Sequence, residues 1–296
     1  MKKSLILFFI FFLTKIHSQE VIKDYPLSNI VEETSGLEII GDLLITHNDS
    51  GGEASLYYLS KKGKILKKRK IKSASNKDWE DITKDSKYLY ISDSGNNYNN
   101  RRDLKIYKVP IDEKSKEKNQ IISFNYPEQK SFKINRNTIY DAEGLISIDN
   151  NLIIFTKNRA KKITEFYSIP KEEGKYDAKK IGTLKTNSII TGADYSQELG
   201  LLALTSTVNF NEYYLITVKD FYLSKTNNYT INMFKIPIGK TQVEAVKIID
   251  NKNFWITSED EQSSKYARLI KLSLWRNKFS YFFSIRWDII PFLLIN

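Results

Sequence analysis

Asp78-Trp79-Glu80-Asp81-Ile82 opens the stretch that decides the fold. It is followed by Tyr88-Leu89-Tyr90-Ile91-Ser92, by Asp93-Ser94-Gly95-Asn96-Asn97 and, after Arg101, by an apolar run from Leu104 to Val109. Short runs rich in aromatic and β-branched residues, bounded by Gly and Asn, read as β-strands. Antiparallel pairing of those strands returns the acidic cluster and the Gly/Asn loop to the same sheet edge. A unit of this kind cannot bury its apolar faces alone and needs copies of itself alongside.

Four further segments repeat the pattern of a small or acidic residue, an apolar strand, a turn, a second strand ending in polar residues, and a third strand. They are Ser35-Gly36-Leu37 with Leu43 to Asp49 and Leu56 to Leu59; Glu143-Gly144-Leu145 with Leu152 to Lys157 and Glu165 to Ile169; Asp194-Tyr195 with Leu201 to Ser206 and Tyr213 to Val218; and Glu244-Ala245-Val246 with Phe254 to Glu259 and Ala267 to Leu272. Starts at 35, 80, 143, 194 and 244 lie 45, 63, 51 and 50 residues apart, the spacing of four-stranded propeller blades with loop insertions. Fourth strands are expected at Ile65 to Ile71, Ile121 to Phe124, Ile181 to Leu184 and Tyr229 to Ile236, and Glu20 to Tyr25 is expected to complete the fifth unit and close the ring. The class is therefore all-β, a β-propeller of five blades, with six as the alternative if the insertion from Pro110 to Tyr140 holds another.

Lys2, Lys3, an apolar run from Leu5 to Leu13 and Ile16-His17-Ser18 read as a signal peptide over residues 1–18, which predicts a secreted or periplasmic protein. Residues 19–274 form the propeller and 275–296 an apolar, aromatic tail that Arg276, Lys278, Arg286 and Asp288 make a poor membrane span. Without cysteine there are no disulfides, so stability rests on the core. Losing Lys2, Lys3 and Lys15 with the leader lowers the net charge from +11 to +8. The remaining lysines are scattered, apart from a run from Lys61 to Lys72 that reads as a solvated strand edge, and no nucleic-acid reader motif accompanies them. The expected partner is a small molecule or glycan, not nucleic acid, and the chain is expected to act as a monomer.

Asn48-Asp49-Ser50-Gly51, Asp78-Trp79-Glu80-Asp81, Asp93-Ser94-Gly95-Asn96-Asn97 with Arg101, Asp141-Ala142-Glu143, Phe155-Thr156-Lys157-Asn158 and Thr191-Gly192-Ala193-Asp194-Tyr195 resemble a largely uncharacterised family of exported β-propeller-like proteins from Bacteroidetes. Its members often carry a type IX secretion sorting domain behind the propeller, and no such domain is recognisable after Leu274. The wider propeller group to which the chain is similar includes calcium-dependent lactonases, phytase-like esterases and pure binding modules, so fold analogy does not choose the chemistry.

In a propeller the first strand of each blade lines the central channel, and its start shares a face with the end of the second strand. Ser35, Glu80, Glu143, Asp194 and Glu244 are thus expected at one mouth, together with Asn48, Asp49, Asp93, Lys157, Ser206, Glu259 and Asp260. Carboxylates crowded in a channel need a cation, a lysine or raised pKa values. Glu80, Glu143, Asp194 and Glu244 are the candidate ligands of a hard cation, Ca2+, the competing reading being strand-end caps bonded to backbone amides. Zinc is disfavoured, since His47 is the one histidine left after processing. Asn48, Asp49, Asp78, Trp79, Asp93, Asn96 and Asn97 are candidate ligand contacts, against the readings that the loops are only turns and that Trp79 packs between blades. The first functional expectation is a binding protein with its ligand at the channel mouth. The alternative is a metal-dependent hydrolase of lactones, esters or phosphate esters, with Glu143 as base and Lys157 or Arg101 steadying negative charge.

Overall fold

The computed structural model describes residues 17–222, 229–239, 241–259 and 266–276. A first strand, β1 (His17–Pro26), precedes a 3-10 turn at Asn29–Val31. Blade 1 holds β2 (Thr34–Ile40), β3 (Leu43–Asn48), β4 (Ser55–Leu59) and β5 (Ile65–Lys70). Blade 2 holds β6 (Trp79–Lys84), β7 (Tyr88–Asp93), β8 (Lys105–Pro110) and β9 (Gln120–Asn125). Blade 3 is β10 (Ala142–Ile148), β11 (Asn151–Thr156) and β12 (Thr164–Pro170), then a short β13 (Gly174–Asp177), with β14 (Lys179–Leu184) as its outer strand. Blade 4 is β15 (Ile189–Ser196), β16 (Leu201–Val208), β17 (Glu212–Lys219) and β18 (Ile231–Lys235). Blade 5 takes β19 (Val243–Ile248), β20 (Asn253–Ser258) and β21 (Arg268–Arg276), with β1 as its outer strand. The architecture is a five-bladed β-propeller, so the sixth blade does not exist. The insertion after Pro110 yields only β9 and the long loop that follows it.

Each blade is an antiparallel meander, and the ring closes where β1 pairs with β21, Gln19 opposite Leu274 and Pro26 opposite Arg268. Pairing starts at His17, two residues inside the expected leader, and β21 runs two residues past the expected propeller boundary. The rest of the tail lies outside the described residues. One strand was not foreseen: β13, between β12 and β14, leaves its own blade and pairs in parallel with β9, covering the outer edge of blade 2. The Lys-rich β5 is an outer edge, as expected, with Lys68 and Lys70 held by Glu53 and Lys67 by Glu113 at 2.6 Å.

Five apolar clusters occupy the spaces between blades rather than one central core. Ile45, Leu56, Trp79, Ile82 and Ile91, for example, fill the space between blades 1 and 2. Each first strand carries a bulge near its start, between Ser35 and Glu38, Trp79 and Asp81, Ala142 and Gly144, Ile190 and Gly192, and Val243 and Ala245. The extra residue re-aims one side chain toward the channel. Gly36 takes φ +66° there, and a Cβ would come within 2.7 Å of His47 Nε2 and 2.8 Å of Ile82 N on the next blade. Gly36→Ala is expected to destabilise the protein by more than about 2 kcal/mol through strain and overlap. A denaturation midpoint equal to wild type would show that this close approach is dispensable.

Candidate functional site

The bulges set the register of the channel. Ser35, Glu80, Glu143, Thr191 and Glu244 occupy equivalent positions, so Thr191, not Asp194, faces the mouth from blade 4. The expectation for Asp194 was three residues out of register. Thr191-Gly192 aligns with Ser35-Gly36 and Glu143-Gly144, and that small residue is the signal that would have found it.

Asp194 instead belongs to a deeper layer. Lys247 Nζ lies 2.7 Å from Glu38 Oε1 and 2.8 Å from Asp194 Oδ1, while Lys84 Nζ lies 3.1 Å from Glu38 Oε1. Two acids meet two lysines; against the pull of burial the lysines hold Glu38 below its ordinary pKa, while burial keeps Asp194 above its own even beside Lys247. Between this layer and the mouth, Asp81 Oδ1 accepts from Ile82 N at 2.8 Å, and Oδ2 accepts from Leu145 N at 2.8 Å and Ala193 N at 3.2 Å. Asp81 therefore reaches from blade 2 to blade 3 and across to blade 4. Above these two layers the mouth residues form an acidic cup.

The cup itself is not balanced. Asp49, Asp78, Glu80, Asp141, Glu143, Glu244 and Glu259 feel one another's charge there, answered by Lys157 and Arg159. Glu143 lies 2.5 Å from Lys157 Nζ, and Asp141 lies 2.8 Å from Arg159 Nη1. Burial, then neighbouring carboxylates, push Asp49, Glu80 and Glu244 well above the usual carboxylate range. Burial raises Asp78 to about 6 and Glu143 to about 7. Buried Asp49 Oδ1 and Glu80 Oε1 make no hydrogen bond. Two triads offer oxygens within 4.8 Å of one another, Asp49 with Asp78 and Glu80, and Glu80 with Asp141 and Glu143.

The two hydroxyl residues of the ring tie blades together. Ser35 Oγ donates to Glu80 O at 2.5 Å and Thr191 Oγ1 to Val243 O at 2.7 Å, each tying its blade to the next. The cap reading requires the acids to accept backbone N–H groups, and buried Glu80 Oε1 takes none.

Several expected contact residues are structural. Trp79 is fully buried, its Nε1 donating to Ser75 O at 3.0 Å and its ring against His47 and Tyr107, so it packs between blades and cannot stack on a ligand. Arg101, expected to steady negative charge, is buried and held by Asp93 Oδ1 at 2.8 Å, Gly95 O at 2.8 Å and Asp103. That pairing also takes Asp93 out of the mouth. Asn96 is buried, donating to Tyr140 O and accepting from Arg101 N, which makes it a loop-closing residue. Asn97 Oδ1 accepts from Arg159 at 2.5 Å on the rim, and Asn48 Nδ2 donates to Ile30 O at 2.8 Å. Ser206 is buried, and Asp260 lies outside the described residues. His47 is a packed residue, its pKa lowered by burial to about 4. Asp141 and Arg159 were missed as site residues because their partners come from other loops.

Fold and site together define a class: a five-bladed propeller with an acidic cup at one mouth. The chain is similar to the PQQ-bound form of aldose sugar dehydrogenase from Streptomyces coelicolor, with a TM-score of 0.50 and 11% identity over 88% of this chain and 99% of that one. It is also similar to a chain of the mitotic checkpoint complex, with a TM-score of 0.45 and 10% identity over 91% of this chain and 100% of that one. The first likeness supports the propeller fold and nothing finer; the second supports no argument. No protein-family model and no curated protein matches the chain.

Proposed function

We propose that the protein is an exported binding module whose cup takes a hard divalent cation, Ca2+, and beside it a small oxygen-rich ligand such as a glycan. One observation carries this reading: the deep layer of the channel balances its acids with lysines, whereas the mouth leaves most of its carboxylates without a cation. The donor set is all oxygen, which suits calcium, and the unpartnered Glu80 Oε1 is an orphan that a cation would satisfy. When bound, the cation would neutralise the carboxylates and offer open coordination positions to ligand hydroxyls or water. Export is supported by the N-terminal segment and the family resemblance.

The hydrolase alternative keeps one supporting feature, a buried Glu143 raised to about 7, suitable for a general base. Its two charge-steadying groups are both engaged with carboxylates. Glu143→Gln distinguishes the readings, since a hydrolase loses turnover and a binding module retains its ligand.

For the cation itself, the mature protein is melted in excess EDTA and again after adding Ca2+. At a hundredfold excess over Kd, binding to the folded state adds about 2.7 kcal/mol, expected as a rise in Tm of about 5 to 10 °C for a chain of this length. An unchanged Tm removes the cation and returns the acids to the role of internal polar groups.

A further inference from the structure

We propose that the cation sits off the channel axis, on Asp49, Asp78 and Glu80 above Gly95, and that Lys157 and Arg159 fill the other half of the acid cluster, leaving a single-cation site. This rests on the cation reading above and says where the ion sits and why there is only one. The two triads share Glu80, so they compete for the same charge. In the triad of Glu80, Asp141 and Glu143, Asp141 Oδ1 accepts from Asn96 N at 2.6 Å, its Oδ2 takes Arg159, and Glu143 takes Lys157. That half already holds two cationic groups.

The triad of Asp49, Asp78 and Glu80 is in the opposite condition. Asp49 Oδ1 and Glu80 Oε1 are buried without hydrogen-bond partners, and Glu80 is only 5% exposed. Gly95 shows where the oxygens converge: a Cβ built there would overlap both Glu80 Oε1 and Asp78 Oδ2. The two carboxylates thus lean into the space that any side chain at position 95 would take.

The loop carrying Gly95 is held rigidly. Gly95 N donates to Asp78 O at 3.2 Å, and Gly95 O accepts from Arg101, itself locked by Asp93. Arg101 therefore acts as a positioning residue for this seat, through the backbone of Gly95. Asp49 and Asp78 are half-buried, so the seat faces the cup and leaves part of a six-to-eight-oxygen shell to water or ligand.

The test is calorimetric titration of the mature, chelator-stripped chain with CaCl2 alone. Wild type is expected to bind one equivalent, and Asp78→Asn and Asp49→Asn to weaken Kd by about tenfold or more, while Glu244→Gln changes it less than about threefold. Gly95→Ala should abolish binding; if that variant does not fold, the aspartate variants decide. Lys157→Met combined with Arg159→Met should raise the stoichiometry from one to two, because only together do they empty the second half of the cluster, with Glu80 bridging both ions. If Glu244→Gln weakens binding as much as Asp78→Asn, the ion is on the axis: this seat is wrong and the cation reading stands. Two equivalents in wild type, or one in the Lys157→Met, Arg159→Met double variant, overturn the role given to these two cationic groups. Absence of any Ca2+ binding overturns both readings.

Discussion

Asp81→Ala is expected to lower the melting temperature by about 10 °C, the larger of two graded effects at the centre of the ring. The carboxylate accepts backbone N–H groups from Ile82, Leu145 and Ala193, on three blades, at a residue 2% exposed. Truncation strands three buried donors, each costing about 1 to 3 kcal/mol when left unmade and less where water enters. Asp81→Asn should cost roughly half as much, since its oxygen still serves one side while its NH2 meets an N–H donor head-on. Thermal melts of both variants check the order, with wild-type-like melting of Asp81→Ala the result that would remove the staple. The cost falls on inter-blade docking, so loss of cooperativity should accompany loss of Tm.

The second large effect is a reversed pH dependence of the metal-free protein. A carboxyl whose pKa is raised on folding binds more protons folded than unfolded between its two values, so stability grows as pH falls through that interval. Glu143 goes from 4.5 to about 7 and Asp78 from 3.8 to about 6, and Asp49, Glu80 and Glu244 move the same way. His47, lowered from 6.5 to about 4, runs opposite: its contribution is whole above 6.5 and is lost as pH falls toward 4. Between pH 8 and 7 the carboxylates act almost without it, and by pH 6.5 it offsets about 0.4 kcal/mol of their gain. In chelator, stability should rise by about 1 kcal/mol from Glu143 alone as pH is lowered across that window, and further from its neighbours. Saturating Ca2+ should flatten or invert the slope, because it favours the ionised acids. A chelated protein that loses stability steadily from pH 8 to 6.5 would mean that these carboxyls are not held neutral by burial.

Much of the site was legible because propeller geometry is periodic: once Glu80, Glu143 and Glu244 fall at like places in the repeat, the ring brings them together. Asp49, Asp78 and Lys157 followed from the ends of second strands and the loops before first ones. The failures share a cause. Asp194 is the nearest acid in the repeat, whereas the bulge before Gly192 decides which residue turns inward. Trp79, Asp93, Asn96 and Arg101 are polar or aromatic residues near the right edge. Whether such a residue faces the cup or is consumed by a neighbour depends on partners such as Ser75, Tyr140 and Gly95, reached through space.

What the sequence determined by itself was local and repetitive: strand alternation, turn residues, the repeat of about fifty residues, five blades, and closure by the segment ahead of the first repeat. These follow from the chain's need to bury one apolar face per strand against an adjacent copy. Only the tertiary structure decided the charge arrangement. Lysines balance the deep layer from blades 2 and 5, Lys157 and Arg159 answer one side of the mouth, and Asp49, Asp78 and Glu80 remain without a cation. Electrostatic pairing acts over a few ångströms in space, between residues as far apart in the chain as Glu38 and Lys247, and no local pattern encodes it.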